Sequence, residues 1–186
     1  METKKEIRKR ILKERDNISD DKRFRSEILI TERIIGHQWY YSATDLLIYK
    51  RIGSEDSTDE IIRDALLHGK RVWLPKVLSH GENNVMEFYP INMQSKLLPG
   101  YKGIPEPEAG EAFSYTEEKQ ATTLMIMPGA AFDPKRNRIG YGKGFYDRYL
   151  MNKKTLHTIA IGFDCQMTGD IPAEENDCKP MQVICL

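Results

Sequence analysis

The chain has 186 residues, long enough to bury a full core without disulfides or a structural metal, and its 28 basic residues balance 28 acidic ones. That balance leaves no global field to recruit nucleic acid or an anionic membrane, so any anion site has to be local and to serve a small ligand. Cys165, Cys178 and Cys185 are odd in number and lack C-x-x-C spacing, which argues against a disulfide framework or a zinc site and reads as reduced thiols.

From Lys4 to Arg15 the residues Ile7, Ile11 and Leu12 stand among Lys and Arg, the pattern of an amphipathic helix. Asn17 and Ser19 end it and open a second helix, with Asp20 and Asp21 at its positive end and a stripe of Phe24, Ile28, Thr31 and Ile35 before Gly36. Leu46 to Tyr49 reads as a first strand. Ser57-x-x-Glu60 has the form of a capping box opening a helix that carries Ile61, Ile62, Ala65 and Leu66 to Gly69, and Val72 to Leu74 is the next strand. This is a βαβ unit, with parallel strands and a right-handed crossover. Val85 to Tyr89 alternates as a further strand, and the Gly- and Pro-rich stretch from Leu97 to Glu111 is a loop of functional length. Leu124 to Met127 is a fully apolar strand, Tyr146, Tyr149 and Leu150 begin a helix face, and His157 to Phe163 and Val183 to Leu186 supply the last strands. The expected fold is a single-domain, doubly wound α/β sheet, mainly parallel, with helices on both faces and two N-terminal helices. Its ligand crevice lies outside the carboxyl ends of the strands.

His37, His68, His80 and His157 show no metal-ligand spacing and read as surface or satisfied histidines. Residues 1–16 are charged throughout with no apolar h-region, and no apolar run reaches the length of about 18 that a membrane helix needs. A cytoplasmic protein with no membrane partner is expected.

The richest segment is M-P-G-A-A-F-D-P-K-R-N-R-I-G-Y-G-K-G-F-Y-D-R-Y-L, from Met127 to Leu150. Gly140, Gly142 and Gly144 alternate, so the backbone there can take positive φ and turn amide N–H groups toward one anion, while Arg138 and Lys143 add positive charge. Neither a Walker A loop nor a dinucleotide fingerprint fits, because Gly144 follows Lys143 and the third glycine falls one position early. Composition alone leaves a structural strand-to-helix connection as an equal reading. Position favours a phosphate cradle, since the loop ends where a helix begins and Asp147 beside its amides suits a cation that joins the phosphates.

The string P-G-x-x-F-D followed by R-[LI]-G-x-G-x-G-[YF]-Y-D resembles the signature of the 5-formyltetrahydrofolate cyclo-ligase (methenyltetrahydrofolate synthetase) family. Pro128, Gly129, Phe132, Asp133, Arg138, Ile139, Gly140, Gly142, Gly144, Phe145, Tyr146 and Asp147 meet every fixed position. The likeness extends to an N-terminal K-x3-R element, to L-P-K at Leu74 to Lys76, to G-I-P-E-P at Gly103 to Pro107, and to E-N-D ending at Asp177. Phe145 stands where Tyr is common, and Asn176 where many bacterial members have His.

The resemblance implies a single cyclo-ligase domain over residues 1–186 that acts on the small molecules ATP and 5-formyltetrahydrofolate; a monomer is expected, and the charge balance counts against a nucleic-acid partner. It implies ATP binding by Lys4, Lys5, Arg8 and the loop residues Arg138, Ile139, Gly140, Tyr141, Gly142, Lys143, Gly144, Phe145 and Tyr146, with Arg138 and Lys143 also catalytic. It places Lys50 and Glu55 on the folate, and Asp147 and Asp177 on Mg²⁺. The competing readings are a sugar-phosphate isomerase or acyl-CoA transferase on a similar sheet, or a non-catalytic folate- or RNA-binding protein.

Overall fold

A computed structural model describes residues 2–80 and 83–186. Helix α1 (Lys4–Asp16) starts at a formed capping box, in which Thr3 Oγ1 accepts from the Glu6 amide and Glu6 Oε2 from the Thr3 amide. Its apolar row, Ile7 and Ile11, packs on Ala130, Ala131, Ile139 and Ile171, which belong to segments beyond the main sheet rather than to its faces. Helix α2 (Asp20–Ile35) buries Ser26, Ile30 and Ile34. The expected stripe is therefore out of phase: Phe24 is 65% and Ile28 42% exposed. Apolar residues surround much of this helix, so periodicity fixed its period while packing against the sheet chose its face.

After α3 (Gln38–Ser42), the chain runs through β1 (Asp45–Ile48), α4 (Asp59–Leu67), β2 (Arg71–His80) and β3 (Asn83–Ile91). The long connection that follows holds the short pair β4 (Leu98–Pro99) and β5 (Pro105–Glu106). Next come β6 (Thr123–Met127), the hairpin of β7 (Ala131–Phe132) and β8 (Arg138–Ile139), α5 (Phe145–Leu150), β9 (His157–Gly162) and β10 (Gln182–Cys185). The main sheet has the order β10-β9-β6-β1-β2-β3 and is parallel except for β3. Leu46, Ile48, Leu124, Ile126 and Ile159 form one core with α2, α3 and α4. Leu47, Met125, Met127 and Ala160 form another with Phe88, Phe132, Leu150 and the flank of α5. Each large aliphatic side chain so buried contributes about 1.5–3 kcal/mol, and two-sided burial explains why these strands read as continuous apolar runs. Among the described residues no helix is long and apolar enough to cross a membrane.

The expected capping box at Ser57 does not form. Thr58, fully buried, precedes α4 and donates to the Tyr49 carbonyl at 2.6 Å, while Ser57 Oγ accepts only from the Asp59 amide and Glu60 turns to Arg63. A hydroxyl that could have capped the helix instead ties its start to the end of β1, which draws the intervening loop into a compact turn. Strand β1 lies between β2, reached through α4, and β6, reached by the long connection. The chain thus leaves the carboxyl ends of β1 and β6 in opposite directions, and a crevice opens between them.

Candidate active site

A cleft of about 340 Å³ occupies that crevice. Tyr49, Lys50, Ile52 and Glu55 enter it from the loop after β1, Pro75, Val77 and Met86 from β2 and β3, and Tyr101, Lys102, Ile104 and Glu106 from the long connection. The segment from Pro128 to Asp147 completes the lining.

Gly53, at φ 56°, turns the loop after β1 so that the Ile52 amide donates to Glu55 Oε2 at 2.8 Å. Glu55 is 2% exposed, and its Oε1 is buried with no hydrogen-bond partner. Burial pushes its carboxyl up to about 7, while the nearby Tyr141 hydroxyl and the Ile52 amide pull it back. Asp56, which accepts from Tyr49 Oη at 2.7 Å, is likewise pushed by burial, to about 6. Two arginines hold this loop from below in sequence. Arg15 donates from Nε to Ser54 Oγ at 3.0 Å and from Nη1 to Tyr141 Oη at 2.7 Å; Arg23 donates to the Ser54 carbonyl at 2.6 Å. On the connection, buried Glu106 accepts from the amides of Val77 and Tyr101, both at 3.1 Å. A Cβ at Gly100 would stand 2.1 Å from that carboxylate, so glycine is required there.

Half of the glycine-rich signature is architecture. A Cβ on Gly129 would meet the Phe132 ring at 2.5 Å, and Asp133 accepts from the amides of Lys135, Asn137 and Ile171 and from Asn137 Nδ2. Although burial works the other way, these donors hold the Asp133 carboxyl below its usual range. Gly142 and Gly144 take φ of 85° and 62°, as alternation suggests, but Gly140 does not. Its lack of a side chain serves close approach instead, because a Cβ there would lie 3.0 Å from Arg138 Nη1.

Arg138 departs further from expectation. It is 7% exposed, donates to the Pro128 carbonyl at 3.3 Å and to Asp147 Oδ1 at 2.9 Å, and keeps its Nε buried without a partner. Asp147 accordingly has a balancing cation within the protein, so its presence beside the loop does not by itself call for a metal. Helix α5 is only six residues long, which makes its dipole a minor source of positive potential.

The remaining expected residues divide between the cleft and its surroundings. Arg138, Gly140, Tyr141, Lys143, Gly144, Phe145, Tyr146, Asp147, Lys50 and Glu55 all line the cleft. Lys50 is paired with Asp59. Arg8 donates to the Gly140 carbonyl at 2.7 Å and sits against Gly142. Ile139 faces away, into the contact with α1. Lys4 pairs with Asp177 at 2.6 Å and Glu174 at 2.9 Å, outside the cleft, and Lys5 is exposed and lines neither cavity. Asp177 and Asp147 both line a second cavity of about 590 Å³, together with Lys153, Lys154, Cys178 and Lys179. The Cys178 amide donates to Asp147 Oδ1 at 3.2 Å, which brings the two aspartates near each other. Among the described residues no group of three or more His, Cys, Asp or Glu is poised for a metal.

Arg15 was missed because it reads as part of a solvated basic face. The available signal was its spacing: Ile7, Ile11 and Arg15 form one i, i+4, i+8 row, and all three are buried. Glu106 lies within the G-I-P-E-P likeness, which carries no role for it, and Tyr101 lies in the same loop with no motif to mark it.

The whole chain, residues 1–186, matches the model of the 5-formyltetrahydrofolate cyclo-ligase family. It is 28% identical over 173 residues to the mouse 5-formyltetrahydrofolate cyclo-ligase, covering 90% of this chain and 85% of that protein. It is 30% identical over 190 residues to a probable 5-formyltetrahydrofolate cyclo-ligase of Caenorhabditis elegans, covering 98% and 92%. The solved structure of Aquifex aeolicus 5,10-methenyltetrahydrofolate synthetase superposes with a TM-score of 0.81 at 26% identity, over 97% of this chain and 89% of that one.

Proposed function

The chain belongs to the 5-formyltetrahydrofolate cyclo-ligase family, and from that membership we propose that it closes 5-formyltetrahydrofolate to 5,10-methenyltetrahydrofolate, converting ATP to ADP and phosphate. The observation that carries this reading is the Glu55 carboxylate, buried beside the cleft with one oxygen unpartnered, across from a glycine loop that bears Lys143. A buried acceptor left unmade costs about 1–3 kcal/mol, and the amino and ring N–H donors of a pterin can satisfy it.

The formyl oxygen of the bound folate attacks the γ-phosphorus of ATP, and ADP leaves. The resulting imidate phosphate carries a good leaving group on the formyl carbon. N10 then attacks that carbon and loses its proton, and the former formyl oxygen departs in inorganic phosphate. Phosphoryl transfer depends on positioning and charge neutralisation, so no side-chain nucleophile is needed. Burial pushes the thiols of Cys165, Cys178 and Cys185 up, away from the thiolate that covalent catalysis would use.

Lys143 is exposed at the cleft and, among the described residues, makes no ion pair, which suits it to the charge that develops on the transferring phosphoryl group. Arg138 stabilises the same charge while holding Asp147. Arg8 supports the loop at Gly140 and, with Lys4 and Lys5, adds cations on the nucleotide side; the loop from Arg138 to Tyr146, including Ile139, Tyr141, Gly142, Gly144 and Phe145, receives the phosphates. Lys50 lines the folate side. Asp147 and Asp177 fit Mg²⁺: they supply two hard oxygen ligands, too few for a protein cage, as suits an ion that completes its shell with phosphate oxygens and water. When bound, Mg²⁺ neutralises charge on the phosphates.

The test is to mix purified protein with 5-formyltetrahydrofolate and follow the near-ultraviolet band of the methenyl product. The band should grow only with ATP and Mg²⁺ both present. Product formed without nucleotide would rule out the phosphorylated intermediate, and no product under any condition would reject the activity.

A further inference from the structure

Helix α1 touches both sides of the cleft, and Arg15 is where it joins them. Arg15 is 4% exposed and its guanidinium cannot deprotonate, so the partners its donors find carry weight. Nε reaches Ser54, next to Glu55, and Nη1 reaches Tyr141, between Gly140 and Gly142 of the glycine loop. The Arg23 guanidinium grips both the Arg15 carbonyl, at 3.0 Å, and the Ser54 carbonyl, so α2 fastens the end of α1 to the same loop. Since Tyr141 Oη accepts from Arg15, its own O–H remains free to turn to the neighbouring Glu55, whose Oε1 has no hydrogen-bond partner and, with two lone pairs, can take that donor and a ligand donor together.

We propose that Arg15 is a positioning residue which, through Tyr141, locks the glycine loop to the Glu55 carboxylate and thereby couples nucleotide binding to folate binding. The proposal rests on the reading above, in which Glu55 meets folate and the glycine loop meets ATP. A nucleotide that orders the loop fixes Tyr141, and a fixed Tyr141 orients Glu55 and keeps it ionised for the pterin donors. Folate held on Glu55 favours, reciprocally, the loop position that receives phosphate. Other charged or titratable groups around Glu55 are Asp56 beside it, Tyr49 at the end of β1, Tyr146 on α5, and Glu27 on α2, which acts on Asp56. None of them bridges the two loops as Arg15 and Tyr141 do.

The experiment measures the dissociation constant of 5-formyltetrahydrofolate for the full chain, with and without a non-hydrolysable ATP analogue, between pH 6 and 8. The variants are Tyr141→Phe and Arg15→Lys. In the parent the analogue should tighten folate binding by about tenfold, a usual size for direct coupling. In Tyr141→Phe, a substitution at a 42% exposed position, the factor should fall below about twofold. The pH at which folate binding improves should also move upward, because Glu55 has lost a donor to its charged form. Arg15→Lys should reduce the coupling in the same way; if it does not fold, Tyr141→Phe decides alone. An unchanged coupling factor and an unchanged pH midpoint in Tyr141→Phe would overturn the proposal, as would a parent protein that binds folate without any response to the analogue. A parent that binds no folate would defeat the cyclo-ligase reading and this inference together.

Discussion

The two sides of the cleft are prepared in opposite ways. Around Glu55 the protein leaves a polar atom buried and unsatisfied, held in place by a turn, an amide and two arginines. Around Asp147 it pairs its charges with one another, Arg138 with Asp147 and Lys4 with Asp177 and Glu174, while Arg8 donates to the Gly140 carbonyl. The first side is preformed and lacks only a donor. On the second, under the proposed function, a nucleotide and its metal would have to displace ion pairs that are already formed, although Arg138 keeps its Nε unpartnered. If Glu55 meets the folate and the glycine loop the phosphates, as proposed, such a contrast suits a reaction in which the folate oxygen is the nucleophile and must be aimed before the phosphoryl group arrives.

Substitutions can break or sharpen this contrast, and the largest effect is expected at Arg138. Removing a buried cation strands its partner, so Arg138→Ala should lower unfolding free energy by about 3 kcal/mol in a denaturant titration. A loss under about 1 kcal/mol would mean that the pair with Asp147 does not hold the loop. Lys143→Ala should do the reverse. It should leave the melting temperature near that of the parent while turnover falls about a hundredfold, the cost of removing one transition-state cation. Near-parental turnover would exclude a catalytic role for Lys143.

Glu55→Gln probes the other side, by pH. The Glu55 carboxyl is raised from 4.5 to about 7 by burial, so its contribution to stability is fully present below about 4.5 and is lost as pH climbs through 7. Melting of parent and variant should therefore diverge between pH 5 and 8, with Glu55→Gln gaining on the order of 2 kcal/mol relative to the parent. Parallel curves would show that Glu55 is not desolvated. The smallest effect belongs to Asp147→Asn, since an amide oxygen is a poorer ligand for a hard cation. Its Mg²⁺ requirement should rise severalfold before maximal turnover drops. An unchanged Mg²⁺ dependence would remove Asp147 from the metal site.

Most of the sheet was legible in the sequence, because buried parallel strands such as Leu124 to Met127 are continuous apolar runs and Gly36 and Gly69 punctuate the helices. The face of α2 was not, since residues such as Phe24 and Ile30 satisfy one period equally well and only the sheet distinguishes them. The cleft was legible wherever a motif carried it, from Arg138 to Asp147 and at Glu55. What the sequence concealed was pairing. Nothing in the string shows that Arg138 faces Asp147 or Lys4 faces Asp177, residues 9 and 173 positions apart. Nor does a composition-based reading separate Gly129, which makes room for Phe132, from Gly142, which needs its positive φ.

The contrast between a preformed and an exchangeable half-site is tested most directly by a crystal structure with Mg²⁺ and a non-hydrolysable ATP analogue, without folate. Lys4 should leave Asp177 for the phosphates, while Glu55 Oε2 stays 2.8 Å from the Ile52 amide. A nucleotide bound with the Lys4–Asp177 pair intact and the Glu55 turn rebuilt would contradict it.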